Sequence, residues 1–254
     1  MTRKRRKKAA KRSMIEDFKN PRNDSEKLPN GLVRYYTQFT EGGGSWMKYP
    51  LIDLIKKYGQ KQIYDHCYEW CSGSAPIGFS ILDCNLSKKL TCNDMFDVAI
   101  DDCIDTAQKN NIEHKVNAYV TSAVKDIPVG ELWDLVVSNP PHAYNRTKEI
   151  DNNEYLCRIL LDEDKQTHKE FYLNIRSRLT EDAELFIIEH DAGNFSIPDF
   201  KIMAAQGGLD LIDIYKFTLA DAIKLGVKEN AGYLKSSMMD TFWWVMHFKV
   251  KENK

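Results

Sequence analysis

The stretch Ser138-Asn139-Pro140-Pro141-His142, directly behind an apolar run, constrains the fold more than any other part of the chain. Two consecutive prolines fix φ and remove two backbone N–H donors, so a strand cannot continue through them. The stretch predicts a buried strand that stops abruptly and presents Asn139 and the following carbonyls at its C-terminal end. In open α/β sheets, ligands bind at that edge. Taken alone, Asn-Pro-Pro also fits an ordinary turn.

Two upstream segments favour the ligand site. The first, residues 69–78, begins with an acid and is rich in small residues, which permit a tight strand-to-helix turn and close approach of a ligand to the backbone. The second, residues 88–96, reads as a short strand that ends at Asp94, about 25 residues after Glu69, which is one β-α-β step. An acid at this point can accept both hydroxyls of a ribose, as in dinucleotide-binding folds.

With these motifs the chain resembles the class I S-adenosylmethionine-dependent methyltransferases, in the branch that methylates amino and amide nitrogens. Residues 69–78 are similar to the first family motif, residues 94–99 to the ribose-binding acid and its helix, and residues 139–142 to the catalytic Asn/Asp-Pro-Pro-aromatic motif. The resemblance covers residues 60 to 250. It implies an α/β fold with a Rossmann-like seven-stranded sheet, mostly parallel with an antiparallel last strand, and helices on both faces.

The resemblance also implies roles for individual residues. The residues expected to act in catalysis are Asn139, Pro140, Pro141 and His142. The residues expected to bind S-adenosyl-L-methionine are Glu69, Cys71, Ser72, Gly73, Ser74, Gly78, Asp94, Met95, Ser122 and Asn139. Through the resemblance, the Asn139 side-chain oxygen and the Pro140 carbonyl are expected to accept the two protons of the target amino group. His190, at the end of the predicted fifth strand, fits either a general base or a structural histidine.

The sequence departs from the family pattern at three places. Cys71 and Ala75 replace glycines, which predicts a turn slightly further from the cofactor. Ser122 lies where the family has an acid after the third strand, which leaves the adenine contact open. His142 replaces Tyr or Phe, and we expect it to stack with less area and to titrate near neutrality. These departures leave open a catalytically silent nucleic-acid-binding protein with this fold.

Positive charge is concentrated at the N-terminus. Eight of the 36 Lys and Arg residues lie among the first twelve residues, where there is no acid, so the remainder of the chain carries all 37 acids. Such a polybasic tail predicts a tether to nucleic acid, with RNA favoured, or to a ribosome-associated target, through phosphate contacts and counterion release. A solvated tail without a specific partner is the alternative.

The organisation along the chain predicts two parts. Residues 1–58 are expected to form a basic tail and a helical lead-in with a glycine-rich segment, and residues 59–254 the methyltransferase domain. The glycines at 42–44 predict a mobile segment, which fits either a lid or a plain connector. The polar stretch 143–169, which includes Arg146 and Lys148, fits either a substrate-selecting loop or a solvated one.

The remaining composition predicts the setting. No apolar run is long enough to span a bilayer and no signal-peptide pattern is visible, so no membrane partner is expected. The six cysteines lack a Cys-x-x-Cys pair, which favours reduced thiols, a cytoplasmic location and no metal site.

Substrate identity is left open by the motif. It serves the exocyclic amino groups of nucleic-acid bases and the side-chain amide of glutamine. The basic tail favours a base, with adenine N6 first and RNA ahead of DNA; glutamine N5 in a translation-related protein is the alternative.

Overall fold

The computed structural model describes residues 23–38, 40, 45–142, 160–190, 196–225 and 242–252. Three of the predicted features lie outside these residues: the basic tail, the glycines at 42–44, and the loop that contains Arg146 and Lys148. Cys157 lies outside them as well. The five cysteines that are described, Cys67, Cys71, Cys84, Cys92 and Cys103, form no disulfide.

The first described element is a β-hairpin. Strand β1 (Asn23–Lys27) pairs antiparallel with β2 (Val33–Thr37). The expectation of a helical lead-in is therefore wrong for these residues. β2 is rich in β-branched and aromatic side chains, which favour a strand, and Gly31 supplies the positive φ of 119° that the connecting turn requires.

The hairpin is hydrogen-bonded to two helices further along the chain, α2 (Pro76–Asp83) and α3 (Asp97–Lys109). The Asp83 carboxylate at the end of α2 accepts the Leu32 N–H at 2.9 Å. On α3, the Asp102 carboxylate accepts the Thr37 N–H at 2.7 Å. The hairpin thus covers the two helices that follow the first two strands of the main sheet.

Seven strands build the main sheet. In chain order they are β3 (Cys67–Trp70), β4 (Leu90–Asp94), β5 (Val116–Val120), β6 (Trp133–Ser138), β7 (Leu179–Glu189), β8 (Leu209–Thr218) and β9 (Phe242–Val250). Their spatial order is β5-β4-β3-β6-β7-β9-β8. β3 to β7 run parallel, and β9 is antiparallel to both of its neighbours. The predicted seven-stranded sheet with an antiparallel last strand is confirmed.

Helices complete the layers. Besides α2 and α3, the described α-helices are α1 (Lys48–Tyr58), α4 (Gln166–Ile175), α5 (Ile197–Gln206) and α6 (Leu219–Lys224). Short 3₁₀ turns occupy Ser45–Met47, Glu113–Lys115, Val124–Asp126, Glu163–Lys165 and Arg176–Arg178. In the part of the chain that the structure describes, no helix has both the length and the apolar character needed to cross a membrane.

Alternation along the strands divides the core into two faces. On β7, Phe186 and Ile188 enter one buried cluster, while Leu185 and Ile187 enter the other. Successive side chains of a strand point to opposite faces, so both faces of this sheet are covered. This explains why the central strands read as continuous apolar runs rather than as alternating patterns.

The topology places several strand ends together. β3 is hydrogen-bonded to β4 on one side and to β6 on the other, so the chain order reverses between β3 and β6. In open α/β sheets, the crevice at such a reversal, beyond the carboxyl ends of the strands, is where ligands bind. The turn after β3, Asp94 at the end of β4 and Asn139 after β6 all lie at this edge.

The buried Arg34 of the hairpin offers a test of this packing. Its side chain is 0% exposed and pairs with Glu26 at 3.0 Å. Arg34→Met is expected to lower the free energy of unfolding by about 2 kcal/mol, because it leaves a part-buried carboxylate with one cation fewer. Chemical denaturation measures this. The matched variant Lys88→Met removes an exposed pair with Asp65 and should leave the midpoint unchanged; equal losses in both variants would contradict the account.

Candidate active site

The turn between β3 and α2 has an unusual backbone. Cys71, Gly73 and Ala75 all lie in the left-handed region, with φ of 51°, 52° and 51°. This region favours glycine, yet two of the three residues carry a Cβ. The turn therefore keeps a glycine-like path without the glycines that Cys71 and Ala75 replace. The predicted larger distance to a cofactor stays a prediction, because it concerns side-chain volume and not the path of the backbone.

Two carboxylates hold this turn. Glu69, 2% exposed, accepts the N–H groups of Gly78 at 2.6 Å and Ile77 at 3.3 Å, so it caps the first turn of α2. Burial raises the pKa of Glu69 to about 8, and the two backbone donors oppose that shift. A Cβ on Gly78 would lie 2.5 Å from Leu90 and 2.7 Å from the Glu69 carboxylate. Glu69 and Gly78 thus shape the turn from inside the protein.

Asp94 binds the turn from the end of β4. Its carboxylate accepts the Gly73 N–H at 2.8 Å with one oxygen and the Phe96 N–H at 3.0 Å with the other. Burial raises the pKa of Asp94, and these backbone hydrogen bonds oppose the rise. Each carboxylate oxygen can accept a second hydrogen bond, so the group can still take ribose hydroxyls. The neighbouring Met95 side chain is 59% exposed and offers apolar surface.

The two serines of the turn are engaged within the protein. The Ser72 hydroxyl, in a residue only 4% exposed, lies 3.1 Å from the carbonyl oxygen of Asn93. The Ser74 hydroxyl, fully buried, accepts a hydrogen bond from Arg34 at 2.8 Å. Of the turn, the backbone at Gly73 and the half-buried Cys71 are therefore better placed than the serine hydroxyls to meet a ligand.

The third predicted motif lies beside the second. The Asn93 side chain donates to the Thr121 carbonyl at 2.9 Å, and the Thr121 N–H donates to the Asp94 carbonyl at 2.9 Å. These bonds bring the exposed Ser122 next to the end of β4. Ser122 thus follows a segment that is hydrogen-bonded to the end of β4, and its contact with a cofactor stays a prediction.

The Asn-Pro-Pro-His motif follows β6 directly. Ser138, the last residue of β6, donates its hydroxyl to the Trp70 carbonyl at 2.6 Å and so ties the motif to the start of the turn after β3. The Asn139 side-chain oxygen is buried and has no hydrogen-bond partner among the residues that the structure describes. A buried acceptor left unsatisfied costs free energy, and such groups call for a functional explanation.

His142 differs from expectation in its charge. Burial lowers the pKa of His142 to about 3, and the positive charge of the nearby His168 acts in the same direction. The expectation that His142 titrates near neutrality is therefore wrong. Its Nε2 lies 3.1 Å from the Ile188 carbonyl oxygen, which can only accept, so Nε2 carries the proton.

Two further groups lie near the motif, and the sequence indicated only one of them. His190, which the sequence indicated, has its ring 6.3 Å from that of His142 and 5.6 Å from that of Trp243. A buried cluster of Asp162, His168 and Glu189 behind His142 was missed, because Glu189 lies 21 residues after His168 and on another element. The available signal was Glu189 itself, an acid that ends an apolar strand.

Metal ligands are not grouped at this edge or elsewhere in the described ranges. Within those ranges, no set of three or more His, Cys, Asp or Glu side chains is arranged to hold a metal ion.

Because Ala75 has a left-handed backbone conformation, its replacement by glycine should destabilise the protein less than a buried Ala→Gly substitution usually does. Ala75→Gly is expected to change the free energy of unfolding by less than about 0.5 kcal/mol, because relief of about 1–2 kcal/mol of strain offsets the entropy that glycine loses on folding. Ala107→Gly, buried inside α3, has no strain to relieve and should cost about 1–2 kcal/mol. Urea denaturation of both variants checks this, and equal costs would show that Ala75 is not strained.

The buried His168 predicts a pH dependence of stability. Burial disfavours its charged form, but Glu189 and Asp162 outweigh burial and raise the pKa to about 9. The stabilisation is then complete below the unfolded value of about 6.5 and is lost as the pH rises through about 9. We expect the difference in unfolding free energy between wild type and His168→Gln to shrink over this window. A difference that is constant from about pH 6 to 9 would contradict the charge assignment.

Sequence similarity to a known protein covers only part of the chain. No protein-family model matches the chain. The release factor glutamine methyltransferase of Clostridium acetobutylicum is 33% identical over 101 residues, which are 39% of this chain and 35% of that relative. The chain thus spans about a third of the length of the curated relative it matches.

Two solved structures from M. jannaschii are similar in three dimensions. TYW2 in complex with AdoMet matches with a TM-score of 0.54 and 13% identity, over 90% of this chain and 86% of that one. The tRNA m1G37 methyltransferase matches with a TM-score of 0.54 and 14% identity, over 92% of this chain and 58% of that one. With the strand order and the antiparallel last strand, these similarities show that the chain has the class I methyltransferase fold.

Proposed function

We propose that the protein is an S-adenosylmethionine-dependent N-methyltransferase that acts on a planar amino group of a nucleic-acid base. The observation that carries the proposal is the buried side-chain oxygen of Asn139, an acceptor without a partner among the described residues. Asn139 lies at the carboxyl edge of the sheet, where the hydroxyl of the preceding Ser138 donates to the Trp70 carbonyl at the start of the turn after β3. An N–H group of a substrate is the complement that this oxygen lacks.

The residues of the edge fit the cofactor. The Asp94 carboxylate has acceptor capacity left for ribose hydroxyls, and Met95 offers exposed apolar surface beside it. The backbone at Gly73 lies close to Asp94. Cys71 and Ser122 border the same region, while Glu69, Ser72, Ser74 and Gly78 hold the turn in shape. When bound, the cofactor supplies a methyl group on a positively charged sulfur.

The chemistry then depends on the acceptors. The lone pair of an aromatic amine or a carboxamide is delocalised, so the nitrogen is a poor nucleophile. Asn139 Oδ1 and the Pro140 carbonyl accept hydrogen bonds from the two N–H groups of this nitrogen, which turns its lone pair out of the plane. With the cofactor bound, the new N–C bond would form as the S–CH3 bond breaks and leaves a neutral thioether, and the two oxygens would stabilise the positive charge that develops on the nitrogen. Because the methylated nitrogen is acidic, it loses its proton after transfer, and no strong base is required beforehand.

The rigid motif contributes by positioning. The prolines fix φ on both sides of the Pro140 carbonyl, so this acceptor costs little entropy to orient. His142 is neutral, and a neutral ring stacks on a flat substrate group without placing a charge beside the developing positive nitrogen. Pro141 keeps the chain from forming a helix at this point and directs His142 back towards β7, where it meets Ile188.

Different observations support the two candidate substrates, a nucleic-acid base and a glutamine side chain. The polybasic tail supports a nucleic-acid base, with RNA ahead of DNA and adenine N6 as the first target. The curated relative supports the second candidate, the side-chain amide of glutamine in a translation-related protein. Both substrates present a planar NH2 group, so the same acceptors serve both. A cofactor-binding protein without turnover is the alternative outside catalysis.

Substitutions of Asn139 and Asp94 are expected to affect different steps, methyl transfer and cofactor binding respectively. Asn139→Ala is expected to lower kcat by about two orders of magnitude or more with little change in cofactor Kd, because it removes an acceptor that acts in the transition state. Asp94→Ala should weaken cofactor binding first. Asn139→Asp retains an acceptor oxygen and should recover part of the activity. Calorimetric titration with S-adenosylmethionine and single-turnover methyl transfer measure both effects, and full activity in Asn139→Ala would exclude the mechanism.

The substrate class is decided by the fate of a labelled methyl group. The wild type and Asn139→Ala are incubated with methyl-labelled S-adenosylmethionine and a cell lysate, and the products are digested with nuclease or protease. Label in nuclease-sensitive material that the variant fails to produce supports the proposed function. Label in protein favours the glutamine amide. Cofactor binding without any transfer favours the silent binding protein.

A further inference from the structure

Behind His142 lies a chain of buried ionisable groups that the proposed mechanism does not use. Asp162 Oδ2 is 2.5 Å from His168 Nδ1, and His168 Nε2 is 3.4 Å from Glu189 Oε2. The same Glu189 oxygen is 3.9 Å from Nε2 of His142. Asp162, His168 and Glu189 are at most 1% exposed, whereas His142 is 18% exposed. The chain thus runs from the interior to the catalytic motif.

The surroundings of this cluster are apolar. His168 packs edge-on against Trp70, with ring centroids 5.3 Å apart, and against Phe200 at 5.8 Å. Placing charges in such surroundings is costly unless they are paired and hydrogen-bonded. A fold that needed only stability would gain as much from apolar side chains at these positions. The cluster therefore calls for a role at the edge that it adjoins.

The groups that face the cluster fix its charge. Asp162 also accepts the N–H groups of Thr167 at 2.8 Å and His168 at 3.1 Å, which favours its ionised form. The Tyr172 hydroxyl lies 3.5 Å from the second Glu189 oxygen. Burial raises the pKa of the Cys71 thiol at the end of β3 well above its ordinary value, so it stays neutral. Burial raises the pKa of Glu189, and the charge of His168 together with the Tyr172 hydroxyl opposes that rise. The positive charge of His168 thus faces the carboxyl groups of Asp162 and Glu189.

The same geometry acts on His142. Nε2 of its ring faces two acceptors, the Ile188 carbonyl oxygen at 3.1 Å and the Glu189 carboxylate at 3.9 Å. Both favour a proton on Nε2. Burial is the main reason why the His142 ring takes up no second proton, and the positive charge on His168 and the ring of His190 at 6.3 Å act in the same direction. Nδ1 is therefore left as the unprotonated nitrogen.

We propose that Asp162, His168 and Glu189 are positioning residues for His142, which keep its imidazole neutral and hold its proton on Nε2. The catalytic motif then presents one tautomer with a fixed orientation, in which Nδ1 is a hydrogen-bond acceptor. The catalytic consequence rests on the proposed function. The tautomer and the charge of His168 do not, so they can be tested without a substrate.

The direct test is nitrogen NMR of protein labelled in its histidines. His142→Phe and His168→Gln assign the two sets of signals. In the wild type, from about pH 6 to 8, His168 is expected to show two protonated nitrogens, whereas His142 shows one protonated Nε2 and an unprotonated Nδ1. A neutral His168, or a His142 that exchanges between tautomers, overturns the proposal. The spectra are recorded on the wild type, and if a variant does not fold, sequential backbone assignment of the wild type identifies the two histidines instead.

Activity supplies the second readout. In His168→Gln we expect the acid limb of the kcat profile to move to higher pH, and in Glu189→Gln we expect kcat to fall about tenfold with cofactor Kd unchanged within about twofold. The matched control is His247→Gln. It disrupts another buried histidine–carboxylate pair, in which His247 Nε2 lies 2.9 Å from the Glu184 carboxylate. Glu184 is on β7, five residues before Glu189. If His247→Gln changes kcat and its pH profile as much as His168→Gln and Glu189→Gln do, the role of the cluster is structural and the proposal fails.

The two readouts separate this proposal from the proposed function. Methyl transfer together with a mixed or protonated His142 rejects the positioning role alone. A single Nε2 tautomer without transfer to any substrate rejects the proposed function and leaves the cluster's action on His142 in place.

Discussion

The hydrogen bonds from backbone N–H groups to the carboxylates of Glu69 and Asp94 are the constraint on which the rest of the site depends. Cys71 and Ala75 occupy a backbone region that disfavours side chains, at a cost of about 1–2 kcal/mol each. The turn keeps this path because Glu69 binds the first amides of α2 while Asp94 binds the amide of Gly73. Thr40, three residues after the N-terminal hairpin, adds to this, because a Cβ on Gly73 would lie 2.5 Å from the Thr40 carbonyl oxygen. Without these contacts the chain would relax away from the edge of the sheet.

The turn is linked in the same way to the other parts of the edge. Ser138 connects it to the Asn-Pro-Pro-His motif, and Asn93 connects the end of β4 to the segment that contains Ser122. These hydrogen bonds join the turn, the end of β4 and the Asn-Pro-Pro-His motif, so the residues proposed to bind the cofactor and the proposed acceptors are held together. Within the described residues, the buried side-chain oxygen of Asn139 is left without a hydrogen-bond partner at this edge, as is the indole N–H of Trp70 at the end of β3. Rigidity then aligns the substrate nitrogen in the proposed mechanism, and the unsatisfied oxygen recognises it.

Much of this architecture was predictable from the sequence, and what was missed has identifiable causes. The double proline after an apolar run marked the end of β6, and the acid one β-α-β step after Glu69 marked β4, so the location of the edge followed. The seven-stranded sheet with its antiparallel last strand was implied by the resemblance to the class I methyltransferases. The hairpin was missed because its strands are short and its partners, Asp83 and Asp102, are distant in sequence. The neutral state of His142 was missed because it depends on burial and on His168, which periodicity does not reveal. The motifs could be predicted from the sequence, whereas the charge states of groups at the assembled edge of the sheet could not.

The most direct measurement is a crystal structure of the protein with S-adenosylhomocysteine and a fragment that carries a planar amino group. The proposed mechanism predicts that the ribose hydroxyls bind the Asp94 carboxylate. It also predicts that the amino nitrogen lies within hydrogen-bond distance, about 3 Å, of both Asn139 Oδ1 and the Pro140 carbonyl, and faces the sulfur. A ligand bound away from this edge, or an amino group held by other residues while Asn139 Oδ1 stays without a partner, would contradict the central claim.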